Sequence, residues 1–328
     1  MPKPRVFLTR RILDQGLQLI QDFCRADIWL DEMPPSHEEI ILHVEGCAGL
    51  LCLLTDRIDM AVMDAAGAGL MVISNHAVGV DNVDVAAATA RALPVGNTPG
   101  ILTDATADMS FALLLAAARR VVEGDRLVRK GGWKTWAPGF MLGADLRSAT
   151  LGIVGFGRIG RAMAHRGAGF GMHIVYYDPT PAEAEPGVEA SPVDLDTLLR
   201  VSDFISLHTP LTAETRSLMN AAAFAKMKPT AVMVNTSRGP VVDQSALYDA
   251  LYTKRIFAAA LDVTDPEPIS IDSPLLQLDN CIVVPHIASA SWETRQKMSR
   301  MAAENLIAGL MGKPLPNCVN PGVYTDRK

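Results

Sequence analysis

Cationic surface is what this chain most lacks. Its 30 lysines and arginines are outnumbered by 36 aspartates and glutamates, for a formal charge of −6, and the basic residues fall in scattered Arg–Arg pairs without forming a patch. This argues against a surface that tracks nucleic-acid phosphates. Cysteine is scarce as well: Cys24, Cys47, Cys52, Cys281 and Cys318 are an odd five without the paired spacing of a zinc site, so no metal is expected. They read as reduced thiols of a cytoplasmic protein, with Cys52 and Cys281 as core residues of strands. Long apolar runs are missing. The stretch 111–118 falls far short of the roughly 20 residues that cross a bilayer, and no apolar core of signal-peptide length follows residues 1–11. No membrane partner is therefore expected. What remains, 49% apolar and 20% charged residues in a chain of 328, suits a globular protein with full cores and about two domains.

The most informative stretch lies near the middle. Thr150, Leu151, Gly152, Ile153 and Val154 read as a strand feeding into Gly155-Phe156-Gly157-Arg158-Ile159-Gly160. In that context each glycine has a purpose: Gly155 for the tight turn, Gly157 for close approach of a pyrophosphate, Gly160 for packing of the next helix on the strand. The helix starting near Arg158 offers unpaired N–H groups and the positive end of its dipole to phosphates. A second strand, 172–177, ends in Asp178, about 20 residues beyond the first glycine. A carboxylate there accepts both ribose hydroxyls of an adenosine and repels a 2′-phosphate. These residues predict a dinucleotide site that prefers NAD(H) to NADP(H).

About 150 residues precede this fingerprint, with an α/β rhythm of their own. Strands are expected at 6–8, 26–30 and 49–55 and helices at 13–23 and 36–44, the latter opened by a capping box of Ser36 and Glu39. The alternation continues through 58–66, 70–75, 83–91 and 94–96, giving a small parallel sheet with helices on both sides. One long buried helix is predicted over 104–130, stopped by Gly131 and Gly132. The loop after it carries Trp133, Trp136, Phe140 and Met141, which either pack beneath it or reach a second subunit; the second reading is favoured, because exposed aromatic patches mark interfaces. Beyond the fingerprint, strands are expected at 204–207, 231–235, 257–263 and 282–284 and helices at 195–200, 221–227 and 244–254. A last helix at 292–311 folds back on the first domain. A cleft between two such domains would face the glycines and Asp178.

Three groups sit just past strand ends, where ligands bind in such sheets: Arg238 after Asn235-Thr236-Ser237, Glu267 after Leu261-Asp262-Val263, and His286 after Val283-Val284-Pro285. Reduction of a 2-oxo acid needs a guanidinium to grip the carboxylate, a histidine to protonate the oxygen, and a carboxylate to orient that histidine and favour its charged form. Asp262 is placed to accept the amide of a nicotinamide. Among the other histidines only His208, at a strand end before Thr209 and Pro210, has a position that borders the cofactor. Singly, Arg238 and Glu267 read equally well as turn and loop residues. The joint arrangement is what points to chemistry.

These residues resemble the D-isomer-specific 2-hydroxyacid dehydrogenases over nearly the whole chain. The similarity runs through Ala77-Val78-Gly79-Val80-Asp81-Asn82, the glycine fingerprint, and the stretches 235–242, 261–268 and 285–289. Within the family it is most similar to the glyoxylate/hydroxypyruvate reductases, on stretches 53–59, 102–107 and 131–138. The resemblance implies two doubly wound parallel-sheet α/β domains: a Rossmann NAD-binding domain over 101–286, and a flavodoxin-like substrate domain built from 1–100 and 287–328. It implies Arg238, Glu267 and His286 as the catalytic set. Backbone amides of Val78 and Gly79 would hold the substrate carboxylate, with Leu53, Ser289 and a neighbouring subunit's Trp136 lining the pocket. Thr106, Arg158, Ile159, Thr236, Asp262 and Ala288, with His208, Thr209 and Pro210, would contact the cofactor.

The resemblance also implies a homodimer and a small 2-oxo or 2-hydroxy acid as substrate. Several members of the subgroup carry Ser or Gly followed by Arg where this chain has Asp178-Pro179-Thr180, which again favours NADH. Formate dehydrogenases pair the histidine with Gln, so Glu267 points to hydroxyacids. A bulkier acid such as 2-ketogluconate or an aryl pyruvate, or an NAD-sensing binding protein on the same fold, stay open as alternatives.

Overall fold

The computed structural model describes residues 2–180 and 186–325. The chain divides into two compact units, Met1–Leu102 with Ala290–Lys328, and Thr103–Ser289. The first contains β1 (Arg5–Leu8), α1 (Asp14–Phe23), β2 (Arg25–Ile28), α2 (His37–Val44), β3 (Gly49–Cys52), α3 (Met60–Ala66), β4 (Val72–Asn75), α4 (Val85–Ala90) and β5 (Val95–Gly96). The second follows with α5 (Thr103–Ala118), α6 (Val121–Arg129), β6 (Thr150–Val154), α7 (Arg158–Gly169), β7 (His173–Tyr177), β8 (Ala190–Pro192) and α8 (Leu195–Val201). It continues through β9 (Phe204–Leu207), α9 (Ala221–Lys226), β10 (Val232–Asn235), α10 (Gln244–Tyr252), β11 (Ala258–Leu261) and β12 (Cys281–Val283). The chain then returns to the first unit as α11 (Trp292–Leu310).

In the first unit the five strands are all parallel, in the order β2-β1-β3-β4-β5 of flavodoxin-like sheets. Side chains alternate across it. Phe7, Leu50, Cys52 and Ile73 pack toward α2, α3 and α4, while Val6, Leu8, Leu51 and Val72 meet Ile20 of α1 and Ala302 and Leu306 of α11. The return helix lies very close to the sheet, since a Cβ on Gly309 would strike the Val72 side chain. The capping box on α2 forms as expected: the Ser36 hydroxyl accepts the Glu39 amide and Glu39 accepts the Ser36 amide. The strand expected over 49–55 stops at Cys52. There the Asp56 carboxylate accepts the Leu53 amide at 2.6 Å and turns the chain.

In the second unit seven parallel strands run β12-β11-β10-β9-β6-β7-β8, the order reversing between β6 and β9 as in a Rossmann sheet. β9, β10 and β11 are buried along their whole length, which explains their continuous apolar runs. The edge strand β8 has no such pattern and ends in a proline, a residue that sheets tolerate at edges.

The single helix expected over 104–130 is two helices. Arg120 adopts a left-handed backbone with φ 54°. Its guanidinium grips Glu123 at 2.6 and 2.8 Å, and the Ala118 carbonyl that would continue the helix accepts the Ala144 amide at 2.9 Å. α6 is not buried; none of its residues is. Nor do the aromatics beyond it pack under their loop: Trp133, Trp136 and Phe140 are 60%, 75% and 43% exposed.

Candidate active site

β6 delivers the chain to Gly155 at the point where the strand order reverses, beside the end of β9. Gly155 has φ +90°, and a Cβ there would lie 2.8 Å from the His208 carbonyl and the Thr209 amide nitrogen. His208 is held by its own amide to Val154 O (2.7 Å) and by its ring Nε2, 2.8 Å from Ser206 Oγ. Burial pushes its pKa down to about 3, so the ring is neutral. A Cβ on Gly160 would run into the Gly155 carbonyl, which is how α7 comes to lie against the strand. Gly157 differs: a Cβ there meets no protein atom within 4 Å. The open space over the second glycine, at the N-terminus of α7, fits a dinucleotide's phosphates.

Asp178, at the end of β7, leans back over this turn. Its Oδ2 accepts the Phe156 amide at 2.7 Å and its Oδ1 the Thr180 amide at 2.9 Å. Residues 181–185 of the loop that follows, which carry no arginine, lie outside the described residues. The Thr106 carbonyl, on α5, accepts the Ser110 hydroxyl, and Ser110 Oγ stands 2.7 Å from the Thr236 hydroxyl past β10. Ser110 was not among the expected residues; a lone serine in a helix gives no signal of its own.

The turn carrying Arg238 is shaped by Asn235. This side chain accepts the Ser237 amide and hydroxyl (3.0 and 2.8 Å) and donates to the Arg238 carbonyl at 2.9 Å. Asn at a strand end makes such turns readily. Arg238 is half-buried and its Nη1 donates to Ser237 O at 2.8 Å.

Glu267 and His286 follow the adjacent strands β11 and β12. Glu267 lies between two cis prolyl bonds, Asp265–Pro266 and Glu267–Pro268. Its Oε2 is 2.9 Å from His286 Nδ1, and its Oε1 accepts the Thr264 amide at 2.9 Å. Burial works to raise the Glu267 pKa, but the His286 hydrogen bond and charge, the Thr264 amide and the Arg238 guanidinium outweigh it and hold the carboxyl below its ordinary value. His286 itself has φ +51°. Asp262 frames that kink: its carbonyl accepts the His286 amide (2.9 Å) and its carboxylate the amides of Ile287 (2.6 Å) and Ala288 (2.9 Å). Asp262 is 1% exposed, and burial raises its pKa despite those two donors.

In the first unit, Leu53, Val78 and Gly79 lie in neighbouring loops after β3 and β4. Asn82 ties the two loops, donating to the carbonyls of Leu53 (2.9 Å) and Asp56 (3.0 Å). Val78 and Gly79 are half-buried. No group of three or more metal-ligating side chains occurs among the described residues, and none of their helices is long and apolar enough to cross a membrane.

A reversal of strand order under a glycine turn is where open α/β sheets take dinucleotides. A histidine backed by an ionised carboxylate is suited to moving a single proton. The class so defined is a Rossmann-fold oxidoreductase that uses a nicotinamide dinucleotide. Residues 111–288 match the D-isomer specific 2-hydroxyacid dehydrogenase, NAD binding domain, and the chain belongs to that family. It is 54% identical over 329 residues to a glyoxylate reductase of Korarchaeum cryptofilum, covering 99% of this chain and 98% of that one. Among solved structures, the TT0316 protein of Thermus thermophilus superposes with a TM-score of 0.90 at 46% identity, covering 96% of this chain and 99% of that one. An NADPH-dependent glyoxylate/hydroxypyruvate reductase of Sinorhizobium meliloti, in complex with NADP and malonate, gives 0.85 at 30% identity, covering 97% of both.

Proposed function

We propose that this chain reduces glyoxylate and hydroxypyruvate to glycolate and D-glycerate, prefers NADH to NADPH, and acts as a homodimer. The observation that carries the reading is the Glu267–His286 pair. With Nδ1 directed to an ionised carboxylate, the ring's Nε2 is the end that donates a proton to a substrate oxygen. The names of the relatives bring glyoxylate and hydroxypyruvate to this site.

Bound NADH would supply the hydride that reaches the carbonyl carbon. His286 protonates the oxygen as negative charge gathers there, and Glu267 balances the charge of the ring and holds its plane. Arg238 takes the substrate carboxylate, and the Val78 and Gly79 amides serve the same group, with Leu53 and Ser289 as pocket walls. The Gly155–Gly160 turn, with Arg158 and Ile159 opening α7, holds the diphosphate. Asp178 accepts the ribose hydroxyls, since each of its oxygens has a lone pair beyond those used by the Phe156 and Thr180 amides. Thr106, His208, Thr209, Pro210, Thr236, Asp262 and Ala288 line the rest of the cofactor's path. The exposed Trp136 is the reason for the dimer, in which it would cover a neighbour's substrate.

The test is steady-state reduction with NADH and with NADPH of glyoxylate, hydroxypyruvate, pyruvate, 2-ketogluconate and phenylpyruvate. Rapid NADH oxidation by either of the first two is the expected result. Turnover of only the bulkier acids, or of none while NADH binds, overturns the proposal.

A further inference from the structure

The loop after β4 is held from behind, through its carbonyls. Ala77 O accepts the Thr98 amide at 2.9 Å, Val78 O accepts Asn97 Nδ2 at 2.8 Å, and Gly79 O accepts Asn75 Nδ2 at 2.9 Å. In a trans peptide the N–H points opposite to the C=O of the same unit. The three clamps therefore fix three consecutive N–H vectors: that of Val78 through Ala77 O, that of Gly79 through Val78 O, and that of Val80 through Gly79 O. All three residues are half-buried, and none of the three amides has a protein acceptor among the described residues. Successive backbone N–H donors without a protein partner among the described residues are the raw material of an anion receptor, and a hydrogen bond on each carbonyl polarises the peptide and strengthens its N–H as a donor.

The clamps are themselves anchored. Asn75 is fully buried at the end of β4, and its Nδ2 also donates to Asn82 Oδ1 at 2.9 Å. Asn97 has its backbone pinned on both sides, its carbonyl accepting Asn305 Nδ2 of α11 at 2.9 Å and its amide reaching Asn317 O at 3.2 Å. Among the described residues its side chain makes one bond, the one to Val78 O.

We propose that Asn97 and Asn75 are positioning residues that set the amides of Val78, Gly79 and Val80 as a three-donor receptor for the substrate carboxylate. This rests on the reading that the chain reduces a 2-oxo acid whose carboxylate these amides take. Neither asparagine touches substrate; each acts through the peptide it holds. Because the carboxylate is gripped alike before and during hydride transfer, loss of a clamp weakens binding without slowing the chemical step.

The experiment uses Asn97→Asp, which keeps the shape but sets an acceptor against the Val78 carbonyl, and Asn97→Ala, which removes the donor without adding charge. For each, the measurements are kcat and KM for glyoxylate and hydroxypyruvate, the inhibition constant of oxalate, the NADH dissociation constant and the melting temperature. The expected result is a KM about tenfold higher, the size of one hydrogen bond to a charged group. The oxalate constant should rise in step, kcat should stay within about twofold, and NADH affinity should be unchanged. Unchanged KM and oxalate inhibition in folded variants would overturn the assignment, and so would a joint fall of kcat, NADH affinity and melting temperature in both. A wild-type chain inactive on both 2-oxo acids would overturn the parent reading and this inference with it. An active wild type beside unaltered variants overturns this one alone.

Discussion

Glu267 is held at both carboxylate oxygens, Oε2 by His286 Nδ1 and Oε1 by the Thr264 amide, each at 2.9 Å. The carboxyl pKa lies below its ordinary value, so Glu267 itself stays ionised throughout the neutral range. Substituting Glu267→Gln keeps the shape and removes that charge. The expected loss in kcat is roughly tenfold to a hundredfold, less than the 10²–10⁴ at stake in proton transfer itself. An unaltered kcat would show that the charge is not used.

The same depression makes a stability prediction. A carboxyl whose folded pKa is below its unfolded value, about 4.3 for Glu, contributes stability that is fully present above the unfolded value and is lost as pH falls through the folded one. The stability gap between wild type and Glu267→Gln should be greatest near neutral pH and shrink in acid, below the ordinary carboxylate range. Denaturant titrations across pH check this; a gap independent of pH contradicts it.

Gly157 and Gly160 separate binding from folding. Gly160→Ala drives a methyl against the Gly155 carbonyl, and overpacking of this kind costs about 1–3 kcal/mol, so the melting temperature should fall by several degrees. Gly157→Ala meets no protein atom within 4 Å. It should melt like wild type yet bind NADH at least about tenfold more weakly, because the methyl occupies the space of the diphosphate. Equal NADH affinity in Gly157→Ala would place the diphosphate elsewhere.

Asp178 decides the cofactor in this account. Replacing it with alanine removes both the ribose acceptor and the repulsion of a 2′-phosphate, so the ratio of kcat/KM with NADH to that with NADPH should fall toward unity. Since Asp178 also ties down the Phe156 amide, NADH affinity should drop as well. A ratio identical to wild type would show that the ribose is read by other groups.

Much of this was legible in the amino-acid order because burial writes long signals. β9 was expected at its full extent over 204–207, since a strand covered on both faces is a continuous apolar run. The Ser36–Glu39 box marks a helix start through local chemistry alone. Arg238, Glu267 and His286 stood out because strand ends locate ligand sites even when nothing is known of side-chain geometry. What escaped notice depends on distant partners. The break at Arg120 needs the Ala144 amide to cap Ala118, and no residue from 115 to 129 advertises it. β8 is a short edge strand without alternation. The left-handed turn at His286 is held by Asp262, which reads in sequence as one more strand-end carboxylate.

The central claim is that His286, oriented by Glu267, donates the proton in reduction of a small 2-oxo acid. The most direct measurement is NADH oxidation with glyoxylate by wild type and His286→Ala, alongside NADH binding to each. The account predicts rapid turnover by wild type, and in the variant normal NADH affinity with kcat lower by about 10²–10⁴ and KM little changed. A variant that retains wild-type kcat, or a wild type that binds NADH and leaves glyoxylate and hydroxypyruvate untouched, would contradict it.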